Sequence, residues 1–234
     1  MKNYKILGLD TSTKQLAIAL AEGDTVLWEV NYVEQFKHIE KLFILIQKGL
    51  KHCGWTMDDV DILACGSGPG SFTGLRVGFA AVKGFATAKK KKIVAASSLD
   101  IIAHNCIKKS DCAVIVNAHR GKIYGAFYTN RNGAMKKVGR DLLLSPQQLV
   151  EKLKRNKNPL WLCGDALEKY SNDLKQVGEN NIFYTSQRKW YPCGSHIIHV
   201  VQDAIRKRKF LLAHKILPQY LRLSGAEEVK KKKK

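Results

Sequence analysis

Three groups of residues in this chain have side chains or spacing that could do chemistry: a carboxylate among hydroxyls at Asp10-Thr11-Ser12-Thr13, a glycine-rich loop from Gly66 to Gly70, and scattered histidines and cysteines. An Asp at a strand end followed by Thr and Ser also forms an ordinary Asx or ST turn, whose side chains satisfy nearby N–H groups without a ligand. A glycine loop entering a helix can present backbone N–H groups to an anion. The spacing here rules out the usual phosphate loops. No GxxxxGK[ST] string occurs, and GxGxxG fails because Ser71 stands where the third Gly is required. Ser71 is also not in the G-x-S-x-G setting of a hydrolase nucleophile, so it reads as a helix N-cap.

Metal chemistry finds no ligand set. The one close histidine pair is His196 and His199, at i,i+3 on a basic helix; His38 is followed four residues later by Leu42, and His52, His104, His119 and His214 stand alone in the sequence. Cys53, Cys65, Cys106, Cys112, Cys163 and Cys193 are widely spaced, without a C-x-x-C pair, and read as reduced, packed thiols. Asp58-Asp59-Val60-Asp61 reads as a polar turn. No metal, cofactor or catalytic residue is assigned.

The elements that position these residues follow from periodicity. Strands are expected at Lys5–Asp10, Gln15–Ala21 and Thr25–Tyr32, with Glu22-Gly23-Asp24 as a hairpin turn. A helix follows from about Phe36 to His52, then a strand at 61–65 and a helix at 73–88. After a strand at Ile93–Ala96 and a helix from Leu99 to Ile107, the order recurs: strands at Cys112–Asn117, Lys122–Thr129 and Met135–Leu144, a helix at Pro146–Arg155, a strand at Leu160–Cys163 and a weaker helix at Ala166–Val177. A last helix is expected at His196–Lys209 and an extended segment at Ile216–Leu221. The reading is an α/β chain of two βββαβα units, with subdomains at 1–98 and 99–215 and a C-terminal segment at 216–234. Two of the helices carry more apolar or smooth surface than one core stripe needs. Leu42 to Ile46 is apolar at five consecutive positions, and Gly74, Gly78 and Ala81 line one face that suits close approach of another helix, from inside the domain or from a second subunit.

The 234 residues are 45% hydrophobic, ample for a core. No stretch approaches the ~20 apolar residues of a membrane span, and no basic start leads into a signal-peptide core, so a cytoplasmic protein is expected. Forty Lys and Arg against 20 acidic residues leave a formal charge of +20, concentrated at Lys89–Lys92, Arg206–Lys209 and the Lys230–Lys234 tail. That charge fits either a solvated lysine-rich surface or contact with a polyanion such as RNA.

One string is highly specific. Gly68-Pro69-Gly70-Ser71-Phe72-Thr73-Gly74-Leu75-Arg76-Val77-Gly78 closely resembles the motif of the bacterial TsaB (YeaZ) family, partner subunits in the machinery that makes threonylcarbamoyladenosine in tRNA. Ile6 to Thr13, including Asp10, Thr11 and Thr13, and Pro218-Gln-Tyr220-Leu-Arg222 extend the resemblance over most of the chain. It implies the actin-like ATPase (ASKHA, RNase H-like) fold and a non-catalytic subunit that activates a TsaD-type enzyme, with a TsaE-type ATPase completing the assembly and tRNA bound through the complex. It also implies association with TsaD, or a homodimer when alone, through the first two helices; Ile39, Phe43, Ile46, Gly74, Gly78, Ala81 and Phe85 are the expected interface. The alternative is an actin-like, ATP-dependent kinase or hydrolase using Asp10, Thr11 and Thr13. Against it, the second-half turn Asn117-Ala-His-Arg-Gly121 has Asn where the family more often has Asp, and no H-x-x-x-H motif of the TsaD kind occurs.

Overall fold

The computed structural model describes residues 3–33, 38–106, 110–178 and 181–222. In the first half, β1 (Lys5–Asp10), β2 (Gln15–Glu22) and β3 (Thr25–Val33) form an antiparallel meander; α1 (His38–His52), β4 (Ile62–Gly66), α2 (Phe72–Lys89) and β5 (Lys92–Ala96) complete a sheet of order β3-β2-β1-β4-β5. Strands β1, β4 and β5 are parallel. Both faces of this sheet are covered, which explains why β2 reads Leu16-Ala-Ile-Ala-Leu-Ala21 without polar alternation and is buried throughout that stretch.

The second half repeats the order. After α3 (Ser98–Ala103) and one 3₁₀ turn, β6 (Asp111–Asn117), β7 (Ile123–Arg131), β8 (Ala134–Leu144), α4 (Pro146–Lys154), β9 (Leu160–Cys163), α5 (Ala166–Leu174) and β10 (Ile182–Tyr184) form a sheet of order β10-β9-β6-β7-β8. Pro146 opens α4 behind a full capping box, in which Ser145 and Gln148 each accept the other's backbone N–H. Sequence periodicity missed β10, which is only three residues long. The segment expected to be extended at Ile216–Leu221 forms no strand; Leu211 instead makes an isolated bridge to Ile93. The basic tail and Phe36 lie outside the described residues.

Two helices cross between the halves. Leu99, Ile102 and Ala103 of α3 pack with Cys112, Val114 and Val116 of the second sheet. In return, Ile197, Ile198, Val201 and Ile205 of α6 (Gly194–Arg206) pack on Ile6, Ala17, Ala19 and Ile62 of the first. Grouping α6 with residues 99–215 therefore parts it from the sheet it covers. Its N-terminus is tied down from β3, because Gly194 N–H donates to Asn31 (2.9 Å) and Ser195 N–H to Glu29 (2.6 Å). Those side chains satisfy two of the four N–H groups that a helix start leaves unpaired.

Helix α2 settles which way its glycines face. Gly74 and Gly78 lie against Thr11 of the β1–β2 turn, and Thr11 Oγ1 donates to the Gly74 carbonyl at 2.7 Å. A Cβ at Gly74 would overlap the Thr11 carbonyl oxygen, and one at Gly78 the Thr11 hydroxyl. Ala is the better helix former by about 1 kcal/mol, yet Gly74→Ala is expected to destabilise the isolated chain by roughly 2 kcal/mol, because backbone must move to admit the methyl. Thermal melting checks it; an unchanged or raised Tm would mean the α2–turn contact is loose.

Candidate functional site

The best-formed polar arrangement in the molecule is built around Asp10, at the end of β1. Its carboxylate is fully buried; Oδ1 accepts the Ser12 N–H at 2.7 Å and Oδ2 accepts the Ser98 hydroxyl at 2.7 Å. Ser98 Oγ in turn accepts the Gly68 N–H at 3.1 Å, and the Ser98 N–H donates to the Gly68 carbonyl. Space for the carboxylate exists because residue 66 is Gly: any Cβ there would collide with Oδ2. From the other side the Ser71 N–H donates to the Ser12 carbonyl at 2.7 Å, while Ser71 Oγ accepts the Gly74 N–H as the N-cap of α2. The turn after β1, the glycine loop and the start of α3 are thus one hydrogen-bonded unit. Desolvation raises the Asp10 pKa above the usual carboxylate value, against the pull of its hydrogen bonds to Ser12 and Ser98.

The C-terminal segment locks onto the same unit. Tyr220 stacks on Phe72 with ring centroids 4.7 Å apart, its hydroxyl meets Arg76 Nε at 3.4 Å, and the Gln219 N–H donates to the Ser67 carbonyl. Arg222 donates to the Ala118 carbonyl at 2.7 Å, joining the turn after β6. Gln219 also reaches Asp141, which with Asp100 flanks Lys137; Tyr128 donates to Asp100. Neither Ser98 nor this Asp100–Lys137–Asp141 network is read from the sequence. The one available signal for Ser98 was the Ser97-Ser98 pair after β5.

Beside this unit an open cleft of about 770 Å³ separates the halves. Thr11 to Lys14, Ser71, Thr73, Gly74 and Val77 form one wall; Val116, Asn117, His119, Asp165, Glu168 and Lys169 form the other. Asp10 is not on the wall. Lys14 bridges the cleft to Glu168 at 3.2 Å. Asp165 accepts the Asn117 N–H at 2.8 Å, and burial raises its pKa above the usual carboxylate value. Asn117 Oδ1 accepts the His119 N–H, so its side chain closes a local turn. Among the described residues no group of three or more His, Cys, Asp or Glu is placed to hold a metal ion.

Several sequence readings change here. Of the expected interface, Ile46 and Ala81 are buried in the first core and Gly74 and Gly78 face Thr11, so those four pack inside the chain. Phe43 remains 51% exposed and Phe85 half-buried beside it, with ring centroids 6.0 Å apart; the Ile39 side chain is outside the described residues. The glycine face open to solvent is a different one, where Gly84 meets nothing within 4 Å and Ala80 and Ala88 are exposed. His104, solitary in sequence, lies with its ring 5.8 Å from His196, whose pKa burial pushes down to about 4. Cys106 meets both Cys112 and Cys163; hydrogen bonding to Cys106 and burial raise the Cys112 thiol, and burial raises the Cys163 thiol.

The family model described as TsaD, tRNA N6-adenosine threonylcarbamoyltransferase, matches residues 33–229. The Bacillus subtilis tRNA threonylcarbamoyladenosine biosynthesis protein TsaB is 28% identical, with 95% of this chain and 96% of the relative covered. The Escherichia coli protein of the same name is 27% identical over 74% of this chain and 77% of the relative. YeaZ from Pseudomonas aeruginosa superposes with a TM-score of 0.80 at 23% identity, covering 93% of this chain and all of that one. The fold is that of YeaZ, with the two strand-and-helix units that the motif resemblance implies.

A carboxylate enclosed in this way should matter to folding. Asp10→Ala is expected to cost about 3 kcal/mol, leaving the Ser12 N–H and the Ser98 hydroxyl without their buried acceptor. Asp10→Asn should be milder and should remove a pH term. Because the folded pKa is raised, wild type loses stability as pH rises from 3.8 through the folded value, so the Asn variant gains on wild type over that window. Chemical denaturation of both from pH 4 upward measures it; a constant difference between them would mean that burial does not perturb Asp10.

Proposed function

The chain belongs to the tRNA N6-adenosine threonylcarbamoyltransferase (TsaD) family, and we propose that it serves there as a non-catalytic activating subunit that docks on a TsaD-type catalytic subunit in the cytoplasm. The observation that carries this reading is the apolar cap where α1 meets α2. Phe43 and Ile44 are 51% and 57% exposed on α1, Phe85 stands beside Phe43, and the smooth Ala80–Gly84–Ala88 strip runs alongside. Exposed aromatic and aliphatic side chains gathered at one place, next to a helix face without bulk, suit a facing helix. In the isolated chain the same cap would support a homodimer. A TsaE-type ATPase completes the assembly, and tRNA is engaged through the complex; the relatives' names as tRNA threonylcarbamoyladenosine biosynthesis proteins support that context.

The non-catalytic part of the reading rests on Asp10. Its two oxygens are consumed by Ser12 and Ser98 and it does not reach the cleft wall, while Asn117 supplies no charge on the opposite turn. A general base must come within hydrogen-bond reach of the proton it takes. The second reading, an ATP-dependent kinase or hydrolase acting through Asp10, Thr11 and Thr13, is favoured by the cleft alone, since Thr11 and Thr13 do line it. Magnesium-dependent ATP turnover by pure protein, lost in Thr11→Val, would replace the first reading with this one.

Phe43→Glu and Gly84→Leu test the docking cap separately from folding. Both positions are solvent-facing, so melting of the lone chain should stay near wild type for Phe43→Glu and stay or rise slightly for Gly84→Leu, since Leu is the better helix former. Titration against the TsaD-type subunit should weaken by about 30-fold or more for Phe43→Glu, the equivalent of roughly 2 kcal/mol for a lost central anchor. Wild-type affinity in both variants would move the interface elsewhere.

A further inference from the structure

The two basic runs inside the described chain are more than 100 residues apart in sequence, yet the fold brings them to one place. Helix α2 ends at Lys89, Lys90 follows in left-handed geometry, and β5 begins at Lys92; α6 ends at Arg206 and leads through Lys207, Arg208 and Lys209 to Leu211. Leu211 then pairs with Ile93 of β5, its N–H donating to the Ile93 carbonyl at 2.8 Å, which sets the second run beside the first. Lys92 Nζ stands 5.2 Å from the Tyr4 ring and 4.8 Å from the Phe210 ring, and those rings meet edge to face. A hollow of about 470 Å³, lined by Asn3, Tyr4, Asp24, Gln202, Arg206 and Arg208 among others, opens within the same surface.

Local needs do not use up this charge. Cations at two helix C-termini complement the helix dipoles, and Lys89 pairs with Asp58 (2.8 Å) and Lys207 with Asp203 (2.7 Å). Lys90, Lys92, Arg206, Arg208 and Lys209 are all exposed, and among the described residues none has an ion pair with an acid. Asp24 is the acid in the hollow itself. A patch of exposed Lys and Arg brought together from two runs has the composition that holds a phosphodiester backbone, with point charges for phosphates, and the Tyr4 and Phe210 rings beneath Lys92 help to place its ammonium. Its location fits as well. The patch lies at the starting ends of β1, β4 and β5, whereas the cleft lies at their finishing ends, some 20 Å away at about 3.3 Å per residue of β1. It also adjoins the end of α2 that follows Phe85, close to the apolar cap.

We propose that the surface formed by Lys90, Lys92, Arg206, Arg208 and Lys209 is a docking surface for the RNA phosphodiester backbone, which holds tRNA against the assembled complex while the reaction proceeds on the partner subunit. The proposal rests on the functional reading above and adds the surface to it. The contact is electrostatic and sequence-independent, so this subunit would supply affinity and orientation and leave the choice of base to others.

The test uses the full chain assembled with its TsaD-type subunit and an unmodified tRNA transcript as probe, with binding followed by fluorescence anisotropy between 50 and 200 mM salt. Lys90→Gln, Arg206→Gln, Arg208→Gln and Lys209→Gln are combined in one variant, and a companion variant carries Lys90→Arg and Lys209→Arg. Each phosphate contact contributes about 0.7–0.9 to the slope of log affinity against log salt. The Gln variant is expected to flatten the slope by roughly three and to weaken binding tenfold or more at 100 mM salt, while the Arg variant keeps the wild-type slope. Melting of the lone chain and its affinity for the partner should be wild-type in both. An assembled Gln variant with an unchanged slope overturns the proposal. So does loss of binding to phosphatidylserine vesicles with tRNA binding intact, which would make the surface a membrane contact. The two readings fail separately: modification that persists with an unchanged slope sinks the surface alone, whereas a wild-type complex that binds through this surface but adds no threonylcarbamoyl group sinks the functional reading.

Discussion

The burial of one carboxylate organises this protein. Removing an ionised carboxyl from water carries a penalty of several kcal/mol, which is tolerated only where donors surround it. Asp10 obtains them from the Ser12 backbone and the Ser98 side chain, and Ser98 passes the connection on to Gly68. Each donor belongs to a different stretch, so satisfying the carboxylate forces the β1 turn, the glycine loop and the α3 start into register. The glycines follow from this: Gly66 leaves room for the carboxylate, and Gly74 and Gly78 let α2 lie directly on the turn. The residues that most resemble a catalytic or phosphate-binding motif are thereby explained as a packing unit, with an open cleft beside them whose wall is made by Thr11 to Lys14 and not by Asp10.

A second constraint joins the halves. Helix α3 leaves the first sheet to cover the second, and α6 leaves the second to cover the first, so neither half has a complete core without a helix whose sequence neighbours lie in the other. The C-terminal segment adds a further tie through Tyr220 on Phe72 and Arg222 on the Ala118 carbonyl. What is left unsealed is the surface. The apolar cap of α1 and α2 and the basic end of the first sheet are adjacent and differ sharply in chemistry.

Most of the fold was legible in the sequence because its signals are local. Burial on both faces of β1, β2 and β4 wrote continuous apolar runs, and the strands at Lys5–Asp10 and Leu160–Cys163 have the bounds their periodicity implies. Ser71 declared itself as an N-cap by type and position, and its hydroxyl does accept the Gly74 N–H. The recurrence of three strands, a helix, a strand and a helix along the chain matches the two five-stranded sheets. Strand β10 escaped because three residues carry no period.

What the sequence could not decide was direction. A Gly-rich helix face announces that something comes close, but periodicity is blind to whether the neighbour is Thr11 of the same chain or a helix of another; the answer depends on where a turn sixty residues earlier returns in space. The same holds for Asp10, whose residue type suits a ligand site or a turn, and which only the approach of Ser98 and the room at Gly66 turned into a buried acceptor. Charge runs at 89–92 and 206–209 are visible to anyone who counts lysines, yet their union depends on the Ile93–Leu211 bridge. Sequence by itself determined the elements and the chemistry each one carries. Only the tertiary structure decided which of those chemistries meet, because contacts between distant residues are set by how sheets and helices pack and leave no period along the chain.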